Sequence, residues 1–203
     1  MENNQTYKNR ALASLEGKWS NGVIASLIVF ALGGFASTVI TYPMSEMAGL
    51  GVSSLWSVLC LPLSWGFVVY FLNLIRGLDI SYERLFDGYK DFIRIFLAEF
   101  LVGMCVFIGS LLFIVPGIII GIMLSQTTFI LKDDPDISAA DALRLSMDMT
   151  RGHKAQYFWL VLSFFGWFIL ALMTFGLGFL ALIPYMYTTL AHYYEDLKAE
   201  QAE

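Results

Sequence analysis

Glu99 is the one acid inside the long apolar segments of this chain that could span a membrane, and an ionisable group there is a functional candidate by default. Reflecting position 99 about a turn centred between Val115 and Pro116 lands on Lys132. The preferred reading is therefore an interfacial ion pair, Glu99 with Lys132, and the alternative is a proton relay. The other reactive groups stand alone. His153 and His192 have no Cys, Asp or His at metal-ligand spacing, and Cys60 and Cys105 sit in apolar stretches as small buried hydrophobes. No serine occupies a nucleophile elbow, and there is no phosphate-binding loop and no paired-carboxylate arrangement. The expectation is no catalytic residue, no cofactor and no metal.

The elements that must hold these groups follow from the basic residues. All 12 lysines and arginines lie in four places: Lys8 to Lys18, Arg76 to Arg94, Lys132 to Lys154, and Lys198. Between them run three apolar blocks, roughly 22–75, 95–131 and 157–191, without a single base. Each is too long for one span of ~20 residues and about right for two. The chain reads as a polytopic all-α membrane protein of six transmembrane helices arranged as three hairpins. Both termini and every basic segment face the cytoplasm. A hydrophobic share of 58%, a charged share of 14% and a mean hydropathy of +0.67 agree. The net charge of −5 comes with bases interleaved among acids, which argues against nucleic acid as a partner. The first apolar run exceeds the length of a cleaved signal's apolar region.

The expected spans are 23–40, 55–75, 95–115, 117–131, 157–175 and 179–194. A polar outer loop covers 41–54, and tight turns fall at Pro116-Gly117 and Gly176-Leu177-Gly178. The fourth span is short, about 22 Å. Gly117, Gly121 and Ser125 recur on it every fourth residue, a stripe that suits close helix packing. Beside it, Gln126, Thr127 and Thr128 form a polar run, with Asn73, Thr188, Thr189 and His192 at comparable depth. These seven line a small polar cavity or make interhelical hydrogen bonds; the residue types fit both. On the inner side, Ser138 and Asp141 form a near capping box for an amphipathic helix. Its charged stripe, Asp141, Arg144, Asp148 and Arg151, largely neutralises itself.

The three inner segments resemble one another. Gly17-Lys18, Gly88 with Lys90, and Gly152 with Lys154 each precede an outward span. Pro62, Pro116 and Pro184 mark the returning spans, and Asp-Ile-Ser occurs at 79–81 and again at 136–138. The chain reads as one membrane domain, 1–203, with three repeats, 1–76, 77–133 and 134–203.

Several motifs carry a family resemblance. They are Gly17-Lys18-Trp19, Val115-Pro116-Gly117-Ile118, Asp134-Pro135-Asp136-Ile137-Ser138, Ala142-Leu143 with Ser146, Gly152-His153-Lys154, Gly166-Trp167 and Pro184-Tyr185. In that order they resemble the bacterial integral membrane family called domain of unknown function 975. That family is distantly similar to the membrane domain fused to some glycerophosphodiester phosphodiesterases. The resemblance implies a six-helix protein of the bacterial cytoplasmic (inner) membrane and no assigned activity. The functional expectation is a non-enzymatic scaffold, or a module binding membrane lipids, a protein partner or a second copy of itself at the cytoplasmic face. The alternative is a small transporter or exporter component for a neutral or lipid-like solute.

Overall fold

The computed structural model describes residues 2–201, which are helical throughout their regular structure, with no strand among them. In chain order the elements are α1 (Asn4–Leu15), α2 (Trp19–Thr41), α3 (Glu46–Ile75), a 3-10 segment (Tyr82–Tyr89), α4 (Phe92–Leu112), α5 (Ile114–Asp133), α6 (Ala139–Met149), α7 (Lys154–Met173) and α8 (Phe179–Gln201). Five of these, α2, α3, α4, α5 and α7, are long and apolar enough to cross a membrane. On length and composition this makes a multi-pass membrane protein. Helix α8 is 23 residues long but is not one of the five. Thr188, Thr189, His192 and four charges, Glu195, Asp196, Lys198 and Glu200, dilute its apolar content.

Burial divides the helices into two sets. In α2, α4 and α7 only 11, 17 and 17% of the most apolar stretch is buried, against 61% in α3 and 44% in α5. Helix α8 buries residues along most of its length, from Leu182 to Leu197. The interior is therefore built on α3, α5 and α8. Helix α3 is its centre: Trp65, Val69 and Leu72 enter one core cluster, with Leu124, Phe129 and Tyr194, while Phe67, Tyr70 and Phe71 enter a second, with Leu85, Phe164 and Tyr185. A helix segment buried on most sides must be apolar on most sides, as α3 is from Pro62 to Leu74. The outer helices present large apolar side chains, such as Phe107, Leu111, Phe113 and Trp167, each more than half exposed. A surface of that kind is stable only under lipid.

Three local expectations change. Residues 46–54, expected as outer loop, are the first turns of α3. The α4–α5 turn is at Phe113, whose backbone is extended, and Pro116 lies in the first turn of α5. Proline is tolerated there because the first amides of a helix have no intrahelical partner. Helix α5 is also not continuous; it breaks at Leu124–Gln126 and resumes at Thr127.

The shorter helical segments pack against the interior helices, the 3-10 segment and α6 against backbone and α1 against side chains. The 3-10 segment lies on α3 so closely that a Cβ on Gly66 would overlap the Leu85 carbonyl oxygen and come within 2.8 Å of its carbon. A Cβ on Gly88 would meet the Pro62 carbonyl carbon at 3.0 Å. Tyr89 seals this contact by donating to the Leu59 carbonyl oxygen at 2.8 Å. Helix α6 begins at Ser138, which accepts from the Asp141 amide at 3.1 Å and donates to its carboxylate at 2.7 Å. Its buried residues, Ala142, Leu143, Ser146 and Met149, recur at helical spacing, and they meet the α5 break. There Ser146 donates to the Met123 carbonyl at 2.8 Å and accepts from the Gln126 amide at 3.1 Å. These are backbone groups that the break leaves without helical partners. Helix α1 packs on α8 through Tyr7 against Tyr193, a Ser14–His192 hydrogen bond at 2.9 Å, and the Arg10–Asp196 ion pair at 2.9 Å.

Candidate functional site

Residues at or near the C-terminal ends of α3, α5 and α8 meet in one ionic cluster. Arg76, just past the last residue of α3, forms a bidentate pair with Asp133 at 2.6 and 2.8 Å. Its Nε donates to Glu195 of α8 at 2.6 Å. Asp133 also accepts from the Tyr194 hydroxyl at 2.9 Å and pairs with Lys198. A guanidinium holding two carboxylates is suited to this place, because its planar fork satisfies both oxygens of one of them at once. The hydrogen bonds to Asp133 raise the Arg76 pKa above its ordinary value despite partial burial. The cluster ties three interior helices together. Sequence reasoning missed it. The available signal was an arginine just past α3, an aspartate at the end of α5 and a glutamate in the last turns of α8.

Glu99 accepts from the Thr128 hydroxyl at 3.2 Å. Among the described residues no ion pair joins Glu99 to Lys132. The position of the turn accounts for the difference: with its centre at Phe113, reflection carries Glu99 to Thr127, next to Thr128 and five residues short of Lys132. The carboxyl thus stands at the α4–α5 contact with a neutral hydroxyl as partner.

The glycine stripe is uneven. A Cβ on Gly117 would collide with Ser110 of α4, 3.0 Å from its Cα, whereas one on Gly121 would find nothing nearer than Val106 at 3.9 Å. Ser125 donates to Ile122 and accepts from the Gln126 side chain at 2.7 Å. Of the polar band, Asn73, Gln126, Thr127, Thr188, Thr189 and His192 are buried. The Thr188 and Thr189 hydroxyls return to their own helix, at the Pro184 and Tyr185 carbonyls, each at 2.7 Å. Asn73 Oδ1, Gln126 Oε1 and Thr127 Oγ1 have no hydrogen-bond partner in the protein. Among the described residues no three His, Cys, Asp or Glu side chains form a group able to hold a metal ion.

The better-formed concavity lies elsewhere. A cleft of about 350 Å³ runs between the end of α1, the start of α2, the C-terminal half of α7 and the start of α8. Its walls include Leu12, Trp19, Trp167, Leu170, Leu182 and Tyr185, and none of the seven polar-band residues lines it. Its aromatic wall is ordered: Tyr185 meets Phe164 and Trp167 edge-on at 5.2 and 6.4 Å. Phe164 is pinned in turn by Lys8, whose ammonium lies 4.4 Å above the ring and donates to the Ser163 carbonyl at 2.9 Å, at the break of α7. Burial lowers the Lys8 pKa from its ordinary value.

Large apolar side chains exposed on the outer helices, a partly polar interior and ionic stitching at one end define a helical multi-pass membrane protein. Within that class the chain belongs to the family described as Protein of unknown function (DUF975), whose sequence profile matches residues 1–120 and 111–201. No curated protein and no solved structure gives a match.

Proposed function

We propose that this protein is a non-enzymatic module of the bacterial cytoplasmic membrane that holds a lipid or a protein partner at the inner face. In this reading six helices cross the membrane as three hairpins, α2–α3, α4–α5 and α7–α8, with both termini in the cytoplasm. Helix α8 is sheltered by α1, α2 and α3 and can cross with less apolar content than a lipid-facing helix. Helix α6, with its charged stripe exposed and its other face buried, serves as an amphipathic cap.

The observation that carries the reading is the ring of inner segments. The 3-10 segment clamps α3, α6 clamps α5, and α1 clamps α8, so each segment grips the returning helix of one hairpin. With the first and last elements closing the ring, this is the arrangement expected of a threefold repeat. Gly17 and Gly152 end their inner helices at positive φ, +73° and +89°, while Gly88 does a different job in the close approach to Pro62. The ionic cluster then locks the three returning helices together. Such an inner face favours holding over movement, and Thr188 and Thr189, bonded to their own backbone, do not need a water-filled path.

Purified protein in liposomes provides the test. The expected outcome is no facilitated flux of neutral solutes, together with a stable partner, a homo-oligomer or a retained lipid after crosslinking in native membranes. Flux that is abolished by Gln126→Ala or Thr127→Val would establish transport instead. Single cysteines at Glu46 and Ser138, in a chain lacking Cys60 and Cys105, should label from opposite sides. Labelling of position 138 from outside intact cells would overturn the orientation.

A further inference from the structure

We propose that the cleft between α1, α2, α7 and α8 holds an acyl chain of an anionic membrane phospholipid, with the lipid phosphate at Lys18. The inference deepens the module reading above and rests on its placement of the helices in a membrane.

The cleft suits an apolar chain in size and chemistry. Its volume of about 350 Å³ falls within the usual range for small-ligand sites, ~300–1,000 Å³. Its polar side-chain atoms are few, the Tyr185 hydroxyl, the Trp19 and Trp167 indole nitrogens and the Thr174 hydroxyl, and the last is already engaged: it donates to the Ala171 carbonyl and accepts from the Gly178 amide, both at 2.8 Å. A water molecule needs two or more polar partners to be held, and this wall offers it little. The rim carries Leu12, Trp167 and Leu170, each about half exposed, and these belong to the apolar band that lipid must cover. The cleft therefore opens onto acyl chains.

Its shape does not depend on the occupant. Helices α7 and α8 are held in contact where a Cβ on Gly178 would lie 2.6 Å from the Ala171 Cα. The Lys8–Phe164–Tyr185–Trp167 chain of contacts fixes the opposite wall. A preformed apolar site loses less ordering entropy on binding than one that must assemble.

A positive charge is next in the chain to one of the apolar walls. Lys18 directly precedes Trp19, which lines the cleft, and among the described residues it takes part in no ion pair. Most of the other bases, including Arg10, Arg76, Arg84, Lys90, Arg94, Arg144 and Lys198, are paired with acids. Lys18 also stands at the N-terminus of the 23-residue α2, where unbonded amides and the helix dipole favour an anion. A phosphate at Lys18 with its chain along Trp19, Trp167 and Leu170 satisfies both features with one molecule.

Trp19 and Trp167 make the site directly readable. The protein with Trp56, Trp65 and Trp159 changed to Phe is placed in phosphatidylcholine bilayers doped with phosphatidylglycerol brominated in its acyl chains. The expected result is tryptophan quenching that saturates at low mole fraction, with an about fivefold preference for brominated phosphatidylglycerol over brominated phosphatidylcholine, as one lysine at an anionic surface provides. Unbrominated phosphatidylglycerol should compete it away. Lys18→Gln should abolish the headgroup preference and leave quenching itself, whereas Ala181→Phe, which fills the cleft, should remove the saturable component for both lipids. Quenching that rises in proportion to bulk mole fraction, equally for both headgroups and unchanged by Ala181→Phe, overturns the proposal. That result leaves the module reading intact if a partner is still captured at the inner face. Solute flux with saturable lipid quenching would instead remove the module reading and keep the lipid site.

Discussion

The same substitution at two glycines should have opposite effects. Gly66→Ala and Gly121→Ala both add one methyl group in the interior of a helix, and each gains about 1 kcal/mol of intrinsic helix propensity. At Gly121 the new methyl finds nothing nearer than 3.9 Å, so this gain should be largely realised. At Gly66 it overlaps the Leu85 carbonyl oxygen, a backbone atom that cannot rotate away. The 3-10 segment must move outward by roughly an ångström, which loosens the fully buried Leu85 and the Tyr89–Leu59 hydrogen bond. Overpacking of this kind costs about 1–3 kcal/mol, and the lost hydrogen bond about 1 kcal/mol more. The net expectation is a loss of about 1–3 kcal/mol for Gly66→Ala and a gain of up to ~1 kcal/mol for Gly121→Ala. Thermal unfolding of the two variants in one detergent should therefore separate their Tm values by several degrees, with the parent between them. If the two shift equally, or if Gly66→Ala is the more stable, the docking of the 3-10 segment on α3 is wrong.

Two further substitutions test the ionic contacts. Arg76→Gln leaves Asp133 with Lys198 and Tyr194 but strips Glu195 of its arginine, and it should cost about 2–4 kcal/mol in denaturant unfolding; a change below ~0.5 kcal/mol would mean that the cluster does not join the helices. Glu99→Gln and Lys132→Met should add within about 0.5 kcal/mol in a double-mutant cycle, since Glu99 meets Thr128. A coupling above ~1 kcal/mol would restore the direct pair.

The contrast between these sites explains how far the residues could be read in advance. The helical class and the multi-pass character were legible because they follow from summed quantities, namely apolar length and the segregation of bases, and the family because it is carried by short motifs in a fixed order. Capping at Ser138 was legible because it involves residues three apart. The Glu99 partner was not, because a shift of the turn by two and a half residues moves a cross-helix neighbour by five residues. Pro116-Gly117 reads as a turn by composition, yet the first turn of a helix accepts proline equally well, so local preference could not choose between the two.

Composition and periodicity carry the solvent preference of each segment, and that preference alone sets which stretches are helices long enough for a bilayer. Neighbours distant in the chain are a different matter. The convergence of Arg76, Asp133 and Glu195, the service of Ser146 to the broken backbone of α5, and the cleft between α1, α2, α7 and α8 all depend on which helix faces which. Within lipid, apolar faces are interchangeable as solvent contacts, so hydropathy cannot rank the possible pairings. Close backbone approach at Gly66, Gly88 and Gly117, and the satisfaction of a few polar groups, select the one that forms.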